Sequence, residues 1–125
     1  MKLHGQRWLY LIGNAEIAVD NAFSWWGWAQ ERWLINGETI RETGGWFVFR
    51  RSFDEPWLTP LGDGILAVEL RSKLSAVHCA VTLDGEPQEH DALFEASWQG
   101  RRSWPAADDW QAVDAFSVFI IPESS

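Results

Sequence analysis

The sequence predicts an all-β fold, an antiparallel β-sandwich or flattened barrel of eight to nine strands. Three observations lead there. Apolar residues alternate with polar ones over short runs, the period of a half-buried strand rather than a helix. Asn-Gly and Asp-Gly pairs separate such runs, as tight hairpins require. Large rings are abundant, with ten Trp, seven Phe and one Tyr among 125 residues, so a small chain can bury a sizeable core without disulfide staples. That length suits a single domain over residues 1–125.

The elements follow in order. RWLYLI (7–12) and EIAVD (16–20) are rich in strand formers and flank Gly13-Asn14, which reads as a hairpin. In RWLINGETIRE (32–42), Asn36-Gly37 is the pair that supplies two positive φ angles to a type I′ turn. A two-residue loop sets Ile35 opposite Glu38, Leu34 opposite Thr39 and Trp33 opposite Ile40, so Trp33, Ile35 and Ile40 are expected on one face. GWFVFRR (45–51) reads as the next strand. FDEPWLTPLGDG (53–64), with two Pro and two Gly, reads as a long loop crossing between sheets.

The layout then recurs. GILAVELRS (64–72) is an alternating strand, and AVHCAVTLDGEPQE (76–89) is a hairpin turning at Asp84-Gly85 with Val77, Cys79, Val81 and Leu83 on one face. Ala18-Val19-Asp20 lies 49 residues before Ala67-Val68-Glu69, and Asn36-Gly37-Glu38 lies 48 before Asp84-Gly85-Glu86. Two strand-plus-hairpin repeats would build two sheets. ALFEASW (92–98) reads as a further strand. Residues 99–116 are the one stretch with helical features: Pro105 suits a first turn, and Asp108 and Asp109 suit its positive end. SVFIIP (117–122) would close the fold as a strand.

Ten Lys and Arg against eighteen Asp and Glu give a net charge of −8, which repels a phosphate backbone and argues against nucleic acid as a partner. The acidity is concentrated after residue 62, with four basic and eleven acidic side chains there. The apolar run Trp8 to Ile12 is too short for a membrane span or the core of a signal peptide. Cys79 is the only cysteine, so an intramolecular disulfide is impossible and a cytoplasmic location is expected.

Catalytic and cofactor chemistry find little support. Cys79 is expected to point into the core as an inert thiol, with His78 on the opposite face. His4, His78 and His90 show no metal-ligand spacing, and no phosphate-binding or hydrolase motif occurs, so neither metal nor cofactor is expected. A hydrolase or isomerase pairing a carboxylate with His90 is retained as a residual class.

AFSWWGW (22–28) carries most functional content. In an extended conformation Phe23 and Trp25 occupy one face and Trp26 and Trp28 the other, so some ring must be exposed. The candidate docking surface is therefore Trp25, Trp26 and Trp28, with Trp46 and Trp57, and with Trp104 nearby. Arg50, Arg51, Arg101 and Arg102 are the dense cations beside aromatic residues, a common pairing in interface anchors and a means to hold a carboxylate. Two functions follow: a non-catalytic protein-interaction module, or a binder of a small apolar or carbohydrate ligand at a Trp-lined site. Open sheet edges make a homodimer an option.

From Arg32 to Glu89, the succession RWLINGETIRE, GWFVFRRSF, ILAVELRS and AVHCAVTLDGEPQE resembles the Fas apoptotic inhibitory molecule family in its order of strand, hairpin, aromatic strand, loop, strand and hairpin. The resemblance implies a non-enzymatic β-sandwich engaged in protein interaction. Residues 22–28 and the Trp-rich C terminus depart from that pattern, and no site residue is carried over.

Overall fold

The computed structural model describes residues 2–46, 57–73 and 76–116. Among them the protein is all-β, with two antiparallel sheets that do not close into a barrel. The strands are β1 (Lys2–Ile12), β2 (Ala15–Phe23), β3 (Trp28–Ile35), β4 (Glu38–Trp46), β5 (Trp57–Leu61), β6 (Gly64–Lys73), β7 (Ala76–Leu83), β8 (Glu86–Gln88), β9 (Ala92–Gln99) and β10 (Gln111–Val113). The chain divides into two compact units. One contains the six-stranded sheet, ordered β10-β9-β1-β2-β3-β4, and the other the four-stranded sheet, ordered β5-β6-β7-β8. Arg50, Arg51, residues 47–49 and the expected strand at 117–122 lie outside the described residues.

Each sheet is built around the same four-strand meander. The Asn36-Gly37 and Asp84-Gly85 turns both have positive φ at their two central residues, 52° and 83° in the first and 51° and 84° in the second, the geometry of a type I′ hairpin. Each turn also bonds to the strand beyond its partner. The Asn36 amide donates to the Glu16 carbonyl at 2.8 Å, and the Glu16 amide returns a bond to Asn36 Oδ1 at 2.9 Å. At the equivalent place the Asp84 amide donates to the Ile65 carbonyl at 2.9 Å, and the Ile65 amide donates to Asp84 Oδ1 at 2.8 Å. Short polar side chains make this local bond while their backbone turns left-handed.

Register follows the turns for a short distance. Ile35 pairs with Glu38 and Leu34 with Thr39, but a bulge then shifts the ladder, and Trp33 faces Arg41 instead of Ile40. Ile40 is the extra residue and is exposed, so it does not share the Trp33 face. A bulge leaves one residue unpaired and bends the strand.

Three other expectations are corrected. Residues 57–61 form β5, not loop: Pro60 is tolerated because β5 is an edge strand, where a missing N–H removes no necessary ladder bond. Residues 99–116 hold no α-helix, only a 3-10 turn at Ala107–Asp109 before β10. Trp98 at the end of β9, Trp104 and Trp110 recur every six residues, a spacing that does not align rings on one helical stripe. Cys79 is half-buried rather than enclosed.

In the six-stranded sheet both faces are covered along its centre. β2 is buried without interruption from Ile17 to Ala22, a pattern of strands packed on two sides. One face carries Trp8, Tyr10, Ile17, Val19 and Trp33 in its core. In the four-stranded sheet, Trp57, Leu66, Val68, Leu70 and Val81 are buried, with Val68 paired to both Trp57 and Val81.

Candidate functional site

The second face of the six-stranded sheet holds an unusual combination of charge and rings. Asp20, fully buried on β2, has Arg7 beside it on β1 and Arg32 on β3. Arg7 donates from Nε to Asp20 Oδ1 at 2.6 Å and from Nη2 to Oδ2 at 2.8 Å. Arg32 Nε donates to Oδ2 at 2.8 Å. A buried carboxylate needs this much pairing, because an uncompensated charge out of water is very costly.

Indoles close the row at both ends. The Arg7 guanidinium lies 4.6 Å from the Trp110 ring centre, and that of Arg32 lies 4.5 Å from Trp104. Trp104 Nε1 in turn donates to Glu42 Oε2 at 2.8 Å. Stacked guanidinium on indole combines cation–π attraction with exclusion of water from the ion pair. The segment from residue 100 to 110 therefore lies on this face as an irregular cover, held by side chains instead of ladder bonds.

Gln30 fastens that cover. It is buried on β3, where its Oε1 accepts from Trp28 Nε1 at 2.7 Å and from the Arg102 amide at 2.8 Å, while its Nε2 donates to the Ser103 carbonyl at 2.8 Å. Trp98 Nε1 donates to the same carbonyl at 3.0 Å. The turn so anchored has Gly100 at φ 111° and Arg102 at φ 65°, so it presents Arg101 and Arg102 outward from a fixed backbone.

Beside it lies the end of the β2–β3 hairpin. Residues 24–27 form a tight turn and not the extended strand that the sequence suggested: Ser24 Oγ accepts from the Trp26 and Trp28 amides, and Gly27 has φ 100°. The turn turns Trp25 and Trp26 outward, leaving them 48% and 76% exposed, whereas Trp28 is buried. Trp28 pairs with Trp46 on β4, their ring centres 5.3 Å apart and nearly perpendicular. Arg101 lies over both rings, 5.4 Å from Trp28 and 5.0 Å from Trp46, and Arg102 lies 5.0 Å from Trp28. Neither Arg101 nor Arg102 meets a carboxylate among the described residues.

The sheet thus brings Trp25, Trp26, Trp28, Trp46, Arg101 and Arg102 to one end. Two of the sequence candidates take other roles there or elsewhere. Trp28 is a buried platform, not a contact surface, because its indole N–H is consumed by Gln30. Trp57 is buried in the other unit. Behind the tip, His4 packs on Phe23 at 5.5 Å and edge-on to Trp25 at 6.2 Å. Burial, with the nearby Lys2 ammonium, lowers the His4 pKa below 6.5. His78 and His90 are exposed, and among the described residues no three His, Cys, Asp or Glu side chains converge as a metal site would need.

Sequence reasoning missed Asp20, Gln30 and the bond from Trp104 to Glu42. Asp20 carried a signal, since an acid amid the apolar residues of IAVDNAF must find cations if the strand is buried. Gln30 carried none, because its partners on the 100–103 turn lie more than 70 residues away.

No protein-family model matches this chain, and no curated protein or solved structure matches it. Among the described residues no helix is long and apolar enough to cross a membrane.

Proposed function

We propose that this protein is a non-catalytic interaction module that docks a protein partner through the sheet end formed by the 24–27 turn, Trp46 and the 100–103 turn. One observation carries this reading. Trp26 is 76% exposed on a turn pinned by Ser24, at the end of the six-stranded sheet where β4 closes with a half-exposed Trp46 and where two arginines are exposed. Rigidly held Trp and Arg are the side chains that most often dominate binding energy at protein interfaces, and an indole left in water contributes nothing to its own fold. The pattern resembling the Fas apoptotic inhibitory molecule family points to the same class of function.

The test separates docking from folding. Trp26→Ala is expected to unfold at the wild-type temperature and to lose partner capture in a cross-linking pull-down. Loss of both together would return that ring to the core and remove the reading.

Small-ligand binding is the second reading, and one observation favours it. On the opposite face of the same sheet Gln6, Asn21 and Glu31 form a buried polar row next to Trp8 and Trp33. Gln6 Oε1 and Asn21 Nδ2 have no hydrogen-bond partner among the described residues, and polar groups flanked by indoles are the chemistry that holds sugars. A carbohydrate panel that leaves Trp emission and melting temperature unchanged would count against it.

A further inference from the structure

We infer that the Arg101–Arg102 corner binds carboxylates of an acidic segment on the partner protein. The inference rests on the docking reading and names the chemistry of what docks.

Four arginines lie on this face, and they divide sharply. Arg7 and Arg32 share the one carboxylate of Asp20 and are largely buried. Arg101 and Arg102 are exposed, meet no carboxylate among the described residues, and belong to a chain of net charge −8. In so acidic a protein two adjacent cations without acids are a local reversal of sign. They attract an acidic partner while the rest of the surface repels it, which sets the place of encounter as well as the strength.

The two side chains are also pre-organised. Arg101 rests over Trp28 and Trp46, and Arg102 over Trp28. A guanidinium held near a ring by cation–π attraction and meeting no carboxylate keeps N–H donors that one carboxylate can accept in pairs. The backbone beneath is anchored by Gln30 through the Arg102 amide and the Ser103 carbonyl, so less rotamer and loop entropy is lost on binding. At the same end of the sheet the exposed Trp26 and Trp46 rings offer apolar surface for a side chain between the acids. The occupant is therefore a protein segment with carboxylates around a large apolar residue.

Isothermal titration with a blocked nonapeptide tests this, using acidic residues on both sides of a central Phe and a control in which every acid is replaced by its amide. The acidic probe should bind at least tenfold more tightly than the amide probe, and more weakly as salt rises. Arg101→Gln with Arg102→Gln should lower its affinity about tenfold, a change of about 1.4 kcal/mol, while near-ultraviolet circular dichroism shows the chain still folded at the assay temperature. Equal binding of the two probes, no binding of either, or indifference to the double substitution overturns the inference. If both probes bind equally and Trp26→Ala abolishes this, aromatic docking survives and only the carboxylate claim falls. If acidic binding needs the arginines but not Trp26, the carboxylate site stands and the wider docking surface falls. Sedimentation that shows a dimer lost in the arginine variant, with no probe binding, would give the site to a second copy of this chain and overturn the inference as stated.

Discussion

Asp20 and Arg32 face each other across β2 and β3, with Arg32 Nε donating at 2.8 Å to a carboxylate that solvent does not reach. Arg7 takes the other side of the same carboxylate, so a single acid joins three adjacent strands. Trp110 and Trp104 cap the arginines. The row does two things at once: it satisfies a charge at the centre of the sheet, and it gives the irregular 100–110 segment specific places to rest. The docking end depends on that order, because the turn bearing Arg101 and Arg102 belongs to the same segment.

Removing the acid should therefore be expensive. Asp20→Asn keeps the shape but leaves two largely buried guanidiniums without their counter-charge, and the expected loss is about 3–5 kcal/mol. Urea denaturation measures it. A loss under 1 kcal/mol would mean that water, not Asp20, solvates the two arginines.

Gly5 is a second sensitive point. A Cβ there would sit 2.5 Å from Trp98 Cζ3, closer than real Cβ contacts come, and 3.1 Å from Trp110 Cη2, a tight contact. Gly5→Ala should displace the Trp98 indole, crowd Trp110 and cost about 1–3 kcal/mol by overpacking. Thermal melts report the cost, and the near-ultraviolet circular dichroism of the Trp cluster should change with it. An unchanged spectrum would place those rings elsewhere.

Gln30→Leu tests the clamp. It fills the same space but leaves the Trp28 indole N–H and the Arg102 amide without their partner, and the Ser103 carbonyl with only the Trp98 indole N–H. A stability loss of roughly 3 kcal/mol is expected from buried groups left unsatisfied. Hydrogen exchange at the Arg102 amide should accelerate more than exchange in β7, and equal acceleration at both would show global rather than local loosening.

His4 gives the tip a dependence on pH. Its pKa is lowered in the folded state, by burial first and by Lys2 second, so the unfolded chain binds the proton more readily. The His4 contribution is thus complete above pH 6.5 and is lost as pH falls from 6.5 through the folded value. The difference in denaturation midpoint between wild type and His4→Gln should shrink as pH falls below 6.5. A difference that stays constant or widens contradicts the burial argument.

Much of this fold was legible from short-range chemistry. Asn36-Gly37 and Asp84-Gly85 announced their turns, and counting back from Gly13-Asn14 puts Arg7 opposite Asp20, as the strands are paired. What failed was long-range or competitive. The bulge beside Trp33 leaves no local mark in the sequence. Pro60 reads as a breaker until β5 is known to be an edge strand. In Ser24-Trp25-Trp26-Gly27 the aromatic density hid ordinary turn formers, Ser and Gly, so a tight turn was read as strand. The convergence of Arg101 with Trp46 required the 100–110 segment to fold back over the sheet, which no spacing in the sequence encodes.

The most direct test of the docking surface is the ¹⁵N spectrum of the indole N–H groups of the ten Trp, recorded while the captured partner, or failing one the acidic probe, is added. Shifts concentrated at Trp25, Trp26 and Trp46, with Trp8 and Trp33 unmoved, are the predicted result. Shifts at Trp8 and Trp33 with the tip silent would contradict it and place recognition on the opposite face.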